Sequence, residues 1–181
     1  MPAAAETRFA DLYRTHRSAV WLYCRRRLDA DRADDAMGDV FLTAWRRIDT
    51  APEPSDALPW LYRIAHLTVS NHWRTVARRK RLQARIDAIG VSPPEPVADQ
   101  VVARDEVRVV VEVLNRLKPS DAEILRLTAW EHLNTSQVCA VLEITSDAAK
   151  QRLARARKRL TRVYNQEKAT ESNPPMLKER R

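Results

Sequence analysis

Glycine is almost absent from this chain: among 181 residues, only Gly38 and Gly90 occur. A loop that cradles a nucleotide phosphate needs several closely spaced glycines, so that kind of site is excluded. Aromatic residues make up only 6% of the chain, and no segment alternates apolar and polar residues as a strand does. Apolar residues instead recur at helical spacing in runs rich in Ala, Leu, Arg, Asp and Glu. We therefore predict an all-α protein.

Cysteines and long apolar runs are also scarce. Cys24 and Cys139 lie in separate helical patterns, with no His or Cys nearby at metal-ligand spacing, so we interpret both as reduced core side chains. The segment Met1–Phe9 lacks the apolar stretch of a signal peptide, and no run approaches the ~18 apolar residues of a membrane span. We expect a cytoplasmic protein with no membrane insertion, no metal and no cofactor.

No set of side chains is typical of a catalytic site. The histidines are scattered along the chain, at His16, His66, His72 and His132. Asp34, Asp35 and Asp39 lie together on a predicted helix, but no base accompanies them. A surface that binds a basic partner explains these acids better than acid–base catalysis does. We predict that the chain is not an enzyme.

The net charge points to the kind of partner. The formal charge is +8 and the pI is about 10, which favours a polyanion, nucleic acid before membrane. Charge alone is a moderate signal, because many solvated helical faces are basic.

Three amphipathic helices are predicted in the first half of the chain. The first runs from Glu6 to Leu28 and the second from near Asp31 to Ile48. The segment Asp49–Ser55 contains two prolines and is predicted to be a loop. The third helix begins around Asp56–Pro59, with Pro59 expected in the first turn, and continues to about Leu82.

The third helix changes character along its length. Its first half is mostly apolar, whereas its second half carries Trp73 among several Arg and Lys residues. Cations neutralise phosphates and aromatic rings stack on unpaired bases, so this end is typical of nucleic-acid binding. A core position for Trp60 or Trp73, with the arginines as a solvated face, is the alternative.

A second domain follows a linker. Residues 84–98 contain Gly90 and three prolines, so we predict a linker there. Helical pattern resumes near Ala98 and stops at Lys118–Pro119; Ser120 with Glu123 then predicts a capping box for the next helix. Asn134 with Gln137 is a looser start signal of the same kind. Residues 165–181 are polar and are predicted to be disordered.

The segment Leu133–Leu160 predicts a helix-turn-helix. A short apolar helix is interrupted at Glu143–Ile144, and a strongly basic helix begins after Thr145 and Ser146. On that second helix Leu153, Ala156 and Leu160 are expected to face the core. We expect Lys150, Gln151 and Arg155 to read or border bases, on the face that also carries Ala154. The residues expected to hold phosphates or stay solvated are Arg152, Arg157 and Lys158.

Both halves of the chain resemble one family. The stretch FADLYRTHRSAVWLYCRRRLDADRADDAMGDVFLTAWRRI, followed after a loop by PWLYRIAHLTVSNHWR, resembles region 2 of the bacterial sigma-70 family, in its extracytoplasmic-function (ECF) group. The stretch LNRLKPSDAEILRLTAWEHLNTSQVCAVLEITSDAAKQRLARARKRL resembles region 4 of the same group. The resemblance implies a sigma factor that binds RNA polymerase core, directs it to promoters with -10 and -35 elements, and promotes melting. The implied domains are region 2 at 6–83, a linker at 84–98, region 4 at 99–164 and a tail at 165–181.

The resemblance also assigns roles to individual positions. Residues expected to dock on the β′ coiled coil of the polymerase are Asp35, Gly38, Asp39, Phe41 and Leu42. Residues expected at the -10 element, where an exposed base is captured, are Arg63, His66, Asn71, His72, Trp73, Arg74 and Arg78. Residues expected at the -35 element are Ser146, Lys150, Gln151, Arg152, Ala154, Arg155, Arg157 and Lys158. Region 4 is also expected to contact the β flap, and relatives are often held by an anti-sigma factor.

Several positions depart from the family pattern. Gly38–Asp39 replaces the usual Gln-Glu, and a glycine inside a helix costs about 1 kcal/mol relative to alanine. In the third helix His66, Leu67 and Asn71 replace the usual Arg, Asn and Asp. Glu143 stands where a turn glycine is common, which predicts a slightly altered turn.

Two other functions are compatible with parts of the sequence. A stand-alone helix-turn-helix regulator, with the first domain for dimerisation or sensing, is the main alternative to a sigma factor. An RNA-binding or nuclease-like protein is the third, disfavoured because no metal-binding or acid–base set is present.

Overall fold

The computed structural model describes residues 2–87 and 105–171, and all of its regular elements within those ranges are helical. The helices are α1 (Pro2–Arg25), α2 (Ala30–Arg46), α3 (Pro54–Asp87), α4 (Asp105–Arg116), α5 (Pro119–Ala129), α6 (Thr135–Leu142) and α7 (Ser146–Glu171). A short 3₁₀ turn, Ile48–Thr50, follows α2. The predicted all-α fold is confirmed.

The chain divides into two compact units. In the first unit α1, α2 and α3 pack against one another; in the second, α5 and α4 pack against α7. The two-domain architecture is therefore as predicted. The helix α3 continues to Asp87, so residues 84–87, predicted as linker, are helical. These residues favour helix and precede Gly90 and the prolines; the rest of the predicted linker, 88–98, lies outside the described residues.

The first unit has a core in which small side chains alternate with large ones. On α2 the fully buried residues are Ala33, Ala36, Val40 and Ala44. Such small residues let α1 and α3 approach α2 closely, while Tyr23 and Leu61 fill the remaining volume with no exposed surface. The ring of Tyr23 stacks on Tyr62 of α3 at 5.2 Å between centroids. Close packing of this kind fixes the angles between the three helices.

An aromatic cluster closes the other end of the first unit. Tyr13 on α1 meets Phe41 on α2 edge to face, with 4.7 Å between centroids. Phe9 meets Trp45 in the same way at 5.2 Å. Edge-to-face pairs stabilise this contact beyond the area they bury.

Two helix starts of the first unit can be compared with the predictions, and the predicted start of α3 is corrected. Asp29 caps α2, its carboxylate accepting a hydrogen bond from the backbone N–H of Arg32 at 3.0 Å. The helix α3 begins at Pro54, earlier than predicted, so Pro59 lies inside the helix rather than in its first turn. The missing N–H of Pro59 would have paired with the carbonyl of Ser55, near the helix start, so a single bond is lost there.

The second unit is built around α7. Fully buried side chains that share this core include Val113, Ile124, Leu127, Val138 and Ala156. The guanidinium of Arg159 on α7 pairs with the carboxylate of Asp121 on α5. Because the Asp121 side chain is only 7% exposed, the pair ties α5 to α7 from within the packed region.

One predicted helix start in the second unit is confirmed and another is wrong. Asn134 and Gln137 cap α6 reciprocally: each backbone N–H donates to the other side chain, at 3.0 and 2.9 Å. The capping box predicted at Ser120 and Glu123 is absent. Pro119 is the first residue of α5, a position where its missing N–H is no loss, so Ser120 is already inside the helix. No side chain caps the helix at Lys118.

The C-terminal helix is longer than predicted. The helix α7 continues to Glu171, so residues 165–171 belong to it rather than to a disordered tail. Residues in this extension, such as Glu167, Lys168 and Ala169, favour helix. Residues 172–181 lie outside the described part of the chain. None of the described helices is long and apolar enough to cross a membrane.

Candidate polymerase and nucleic-acid interfaces

The turn of the helix-turn-helix contains a residue with left-handed backbone angles, and that residue is not a glycine. Glu143 has φ = 51°, and the N–H of Ile144 donates to the carbonyl of Cys139 at 3.3 Å. This six-residue closure is the Schellman motif, in which the left-handed position usually holds glycine. The expected altered turn is therefore wrong: the turn is retained, and the side chain adds about 1 kcal/mol or more of strain.

The second helix of the motif starts with a side-chain cap. The Thr145 hydroxyl oxygen accepts a hydrogen bond from the N–H of Ala148 at 3.2 Å, which leaves Ser146 as the first helical residue, exposed to solvent. The cap therefore fixes where the exposed face of α7 begins.

One face of α7 is open and basic. Its exposed residues that were predicted to meet DNA are Ser146, Lys150, Gln151, Ala154, Arg155, Arg157 and Lys158. Helical spacing puts Gln151, Ala154 and Lys158 at the centre of this face, with Lys150 and Arg155 on its two sides. The opposite side is closed by Ala149 and Ala156, which are both buried. A helix presented this way can enter a major groove.

Arg152 differs from the other predicted contacts. It is only half-exposed and lies toward the core side of α7, as do Leu153 and Leu160. Arg152 is therefore removed from the centre of the basic face. Its position follows from helical geometry, because it precedes the buried Ala156 by one turn.

Of the α2 residues predicted to meet the polymerase, all but one are exposed. Asp35, Gly38 and Asp39 are exposed, and Leu42 retains 48% of its surface. Phe41, in contrast, is only 4% exposed and packs against Phe9 and Tyr13. Phe41 is therefore a core residue, and the prediction that it contacts the polymerase directly is wrong.

Gly38 has free space around it. A Cβ built on this residue would meet no other atom within 4 Å. Within the described residues, then, no close approach requires glycine at this position.

A groove runs between α2 and α3. From α2 its lining includes Arg32, Asp35, Asp39, Leu42 and Arg46; from α3 it includes Thr68, Asn71, His72, Thr75 and Arg79. The carboxylate of Asp39 lies 3.6 Å from Nε2 of His72. Sequence reasoning placed Asp39 at the polymerase and His72 at DNA, but the structure brings them together. Arg32, Arg46 and Arg79 were missed, since only the helix pairing reveals that they share a groove.

The basic end of α3 presents further faces. Arg63, Leu67, Asn71, Arg74 and Arg78 recur at three- and four-residue spacing along one side, which makes them neighbours on the helix surface. Within this stripe the guanidinium of Arg74 donates to the side-chain oxygen of Asn71 at 3.0 Å. Arg63 is half-exposed, whereas Arg74 and Arg78 are exposed. The stripe is therefore a cationic surface interrupted by one exposed leucine.

Trp73 lies away from that stripe and away from the groove. It is 57% exposed, so it is not a core residue. Helical spacing puts the half-exposed His66 on the same side. An exposed indole can stack on an unpaired base. Trp60, by comparison, is half-exposed.

His16 on α1 is half-buried. Burial lowers the pKa of the His16 imidazole on α1 from its ordinary value, because the charged form loses solvation.

Comparisons with known proteins agree with both units. Residues 12–79 match the family model described as Sigma-70 region 2, and residues 108–160 match the model described as Sigma-70, region 4. The chain is 30% identical over 148 residues to the ECF RNA polymerase sigma factor SigK of Mycobacterium sp. (strain KMS), covering 80% of this chain and 77% of that protein.

Two further comparisons show how much of this chain, and of each known protein, is similar. The chain is 29% identical over 133 residues to the probable RNA polymerase sigma factor RfaY of Xanthomonas campestris pv. campestris; this covers 71% of the chain but only 33% of that relative. The sigma factor RpoE from Bartonella quintana, solved in complex with the anti-sigma factor NepR, has the same fold, with a TM-score of 0.65 and 20% identity. That match covers 87% of this chain and 96% of RpoE.

Proposed function

The chain belongs to the ECF group of the sigma-70 family of RNA polymerase sigma factors, and from this membership we propose how its residues divide the work of promoter recognition. The function is that of a sigma factor: it binds RNA polymerase core, directs it to promoters and promotes melting of the DNA. Such a protein is a transcription initiation factor rather than a catalyst. It acts on RNA polymerase, which places its work in the cytoplasm.

One observation carries this function above all others. A region 2 match and a region 4 match occur in this order on one chain. A stand-alone helix-turn-helix regulator would need only the second of them. The sigma factor is therefore favoured over that alternative.

The exposed face of α2 is proposed to dock on the β′ coiled coil. Asp35, Asp39 and Leu42 offer carboxylates around an exposed apolar side chain, a combination that suits a basic amphipathic partner helix. Gly38 lies among them. Phe41 supports this face from behind by packing against α1.

His72 and Asn71 are proposed to serve the polymerase side rather than the DNA side. Both line the groove that Asp35, Asp39 and Leu42 line from the opposite helix, so a partner seated on α2 reaches them. Trp73, although adjacent in sequence, lies on another side of α3 and remains the candidate for stacking on a -10 base. Arg63, Arg74 and Arg78 are proposed to hold the backbone of the separated strand, with His66 beside Trp73.

The second unit is proposed to read the -35 element as duplex. Lys150, Gln151 and Arg155 are proposed to reach base edges, with Ala154 between them. Ser146, Arg157 and Lys158 are proposed to meet phosphates, and Arg152 to border them at most. The same unit is proposed to contact the β flap, and the chain is proposed to be regulated by an anti-sigma factor, as the RpoE relative is bound by one.

Substitutions at the adjacent residues His72 and Trp73 test whether the first serves polymerase binding and the second promoter opening. His72→Ala is expected to weaken binding to core polymerase severalfold. Once the complex with core has formed, promoter opening should change little. Trp73→Ala is expected to leave core binding unchanged and to reduce promoter opening, measured by 2-aminopurine fluorescence in the -10 element. Loss of core binding in both variants, or in neither, would contradict the assignment.

The sigma function itself is tested by association with the polymerase. The purified chain is expected to co-purify with core polymerase at low salt and to dissociate as salt rises, since charged faces meet. Failure to co-purify under low salt would overturn the proposal.

A further inference from the structure

Arg159 lies in the basic run of α7, yet it does not belong to the exposed basic face of that helix. It is half-exposed, whereas the preceding Lys158 is exposed. Helical spacing puts Arg159 one turn after the exposed Arg155 and, on its other side, next to the buried Ala156. Arg159 therefore stands at the boundary between the face that is open to solvent and the side that packs inside the second unit.

The guanidinium of Arg159 is turned to the packed side by Asp121 on α5, whose carboxylate accepts its hydrogen bond. Asp121 lies in the first turn of α5, where the helix dipole stabilises a carboxylate. The Asp121 side chain is almost completely buried, and a buried carboxylate that loses its charged partner is strongly destabilising. We therefore expect Arg159 to stay with Asp121 and not to turn to a DNA phosphate.

The shape of the packed side of α7 does little to fix how the helix is turned about its axis. The side chains that α7 buries within residues 146–166 are those of Ala149 and Ala156. Angles between helices are set by side-chain ridges that fit into the grooves of a neighbour, and a methyl group makes only a shallow ridge. A charge-assisted hydrogen bond is both strong and directional. The pair with Asp121 is thus the contact that best defines the rotation of α7 against α5.

The base-reading face of α7 depends on that rotation. Side chains that recognise a partner must be held within about 0.5 Å and 10–20° of the productive geometry. Arg155 lies one turn, about 6 Å, from Arg159 along the helix, so a rotation of α7 would displace Arg155 together with Gln151. Lys158, on its flexible stem, could still follow a phosphate. A loosened α7 would therefore lose sequence preference before it lost general affinity for DNA.

We propose that Arg159 is a positioning residue for the -35 reader: paired with Asp121, it fixes the rotation of α7 against α5 so that the base-reading side chains meet their bases. This inference rests on the proposed function, in which α7 enters the major groove of the -35 element. Arg159 itself touches no DNA in this role, although it belongs to a basic run. Its loss lowers discrimination among -35 sequences and leaves the number of phosphate contacts unchanged.

Four variants test the positioning role. Arg159→Ala removes the pair from the side of α7, and Asp121→Ala removes it from α5, where no base or phosphate contact is proposed. Arg159→Lys keeps the charge but not the planar fork of donors. Arg157→Ala is the matched comparison, because it removes an equal charge from the exposed face of the same helix.

The assay uses the full chain in complex with core polymerase. Its probes are a promoter fragment at which the wild-type complex starts transcription, and the same fragment with each -35 position replaced in turn. Affinity for every fragment is measured at several salt concentrations. Two quantities follow: the ratio of affinities for the original and the replaced sequences, and the slope of log affinity against log salt concentration, which reports the number of phosphates neutralised.

The expected result is a loss of discrimination without a change of slope. Arg159→Ala and Asp121→Ala should each lower the affinity ratio by about tenfold, which corresponds to the loss of one well-placed base contact. The double variant should lower it no further, because both substitutions remove the same pair. Arg159→Lys should retain part of the ratio. Arg157→Ala should lower the slope by about one and leave the ratio unchanged.

The affinity ratio also separates positioning from a purely structural role. A variant that is merely less stable has a smaller folded fraction, which lowers its affinity for every fragment by the same factor. The ratio then stays at the wild-type value. Wild-type ratios in both Arg159→Ala and Asp121→Ala would therefore overturn the inference, and so would a slope in Arg159→Ala that falls as in Arg157→Ala.

The outcomes also distinguish this inference from the function on which it rests. If the wild-type chain directs core polymerase to no promoter fragment, or does not distinguish -35 sequences, the proposed function fails. If the wild type distinguishes them and the alanine variants do so equally well, only the positioning role is overturned. If Arg159→Ala does not fold, Asp121→Ala and Arg159→Lys decide on the same two quantities: a lower ratio at an unchanged slope supports the inference, and a wild-type ratio overturns it.

Discussion

At the scale of single residues, several side chains have functions that their sequence neighbours do not reveal. Phe41 belongs to the core although the residue after it, Leu42, is exposed. Arg159 lies in a run of basic residues, yet it pairs with the buried Asp121, 38 positions away in the chain. Position on a helix face, and not residue type, decides which of two adjacent residues is available to a partner.

Gly38 gives the first prediction at this scale. Gly38→Ala should stabilise the first unit by about 1 kcal/mol, because alanine favours helix and the added methyl meets no atom within 4 Å. Slower hydrogen exchange of the α2 amides measures the gain, and Gly38→Ser should show a smaller one. A loss of protection in Gly38→Ala would mean that the position is more tightly packed than the structure indicates.

Arg159 gives the second prediction at the scale of single residues. Arg159→Ala should destabilise the second unit by about 1–3 kcal/mol, because it leaves the buried carboxylate of Asp121 without its charged partner. Arg157→Ala, on the exposed face of the same helix, should change stability by less than about 0.5 kcal/mol. Urea unfolding followed by hydrogen exchange in α5 compares the two variants. Equal effects would show that the Arg159–Asp121 pair contributes nothing to stability.

At the scale of helices and turns, short sequence patterns predicted the caps and turns that are formed by residues close together in the chain. The Asn134–Gln137 capping box is present because both partners lie within one turn of helix. The break at Glu143–Ile144 is present because the Schellman closure needs only six residues. Helix starts were less predictable where a proline competed with a polar cap, as at Pro119 and Pro54.

Contacts between distant segments could not be predicted in this way. The hydrogen bonds from Arg8 on α1 to the carbonyls of Ala51 and Pro52, and the groove between α2 and α3, both depend on how helices pair. No short-range pattern encodes that pairing. Nor did any sequence signal indicate that His72, predicted at DNA, lies 3.6 Å from Asp39 across this groove. The helices and their exposed faces were therefore largely predictable from the sequence. Which residues come together where two helices meet was not.

The turn at Glu143 gives a prediction at this scale. Glu143→Gly should stabilise the helix-turn-helix by about 0.5–1 kcal/mol, because glycine adopts φ = 51° without a Cβ clash. Glu143→Ala retains the Cβ and should give no such gain. Thermal unfolding of the two variants, with α6 amide protection as the local readout, distinguishes them. A stabilising effect of the alanine equal to that of glycine would contradict the strain argument.

At the scale of the whole molecule, two units on one chain must engage one promoter through one polymerase. The net charge of +8 is consistent with this task. The basic face of α7 and the cationic stripe of α3 belong to different units, so each can be altered alone. Selectivity then comes from both units together, and neither reader needs high affinity by itself.

A pair of substitutions tests this division. Arg155→Ala should relax preference at one position of the -35 element by about 1–3 kcal/mol, because it removes a side chain proposed to read a base edge. Asp39→Arg should weaken binding to core by reversing a charge on the α2 face, while leaving -35 duplex binding by the chain unchanged. Electrophoretic mobility shifts and core titrations measure the two effects. If both substitutions altered the same step, the units would not act separately.

Run-off transcription with purified core polymerase tests the central claim most directly. Core polymerase alone should initiate without preference on a library of genomic fragments. With the chain added, transcripts should start at a defined distance downstream of a shared pair of -35 and -10 sequences, and changes to either sequence should abolish them. Transcript starts that stay the same with and without the chain would contradict the account.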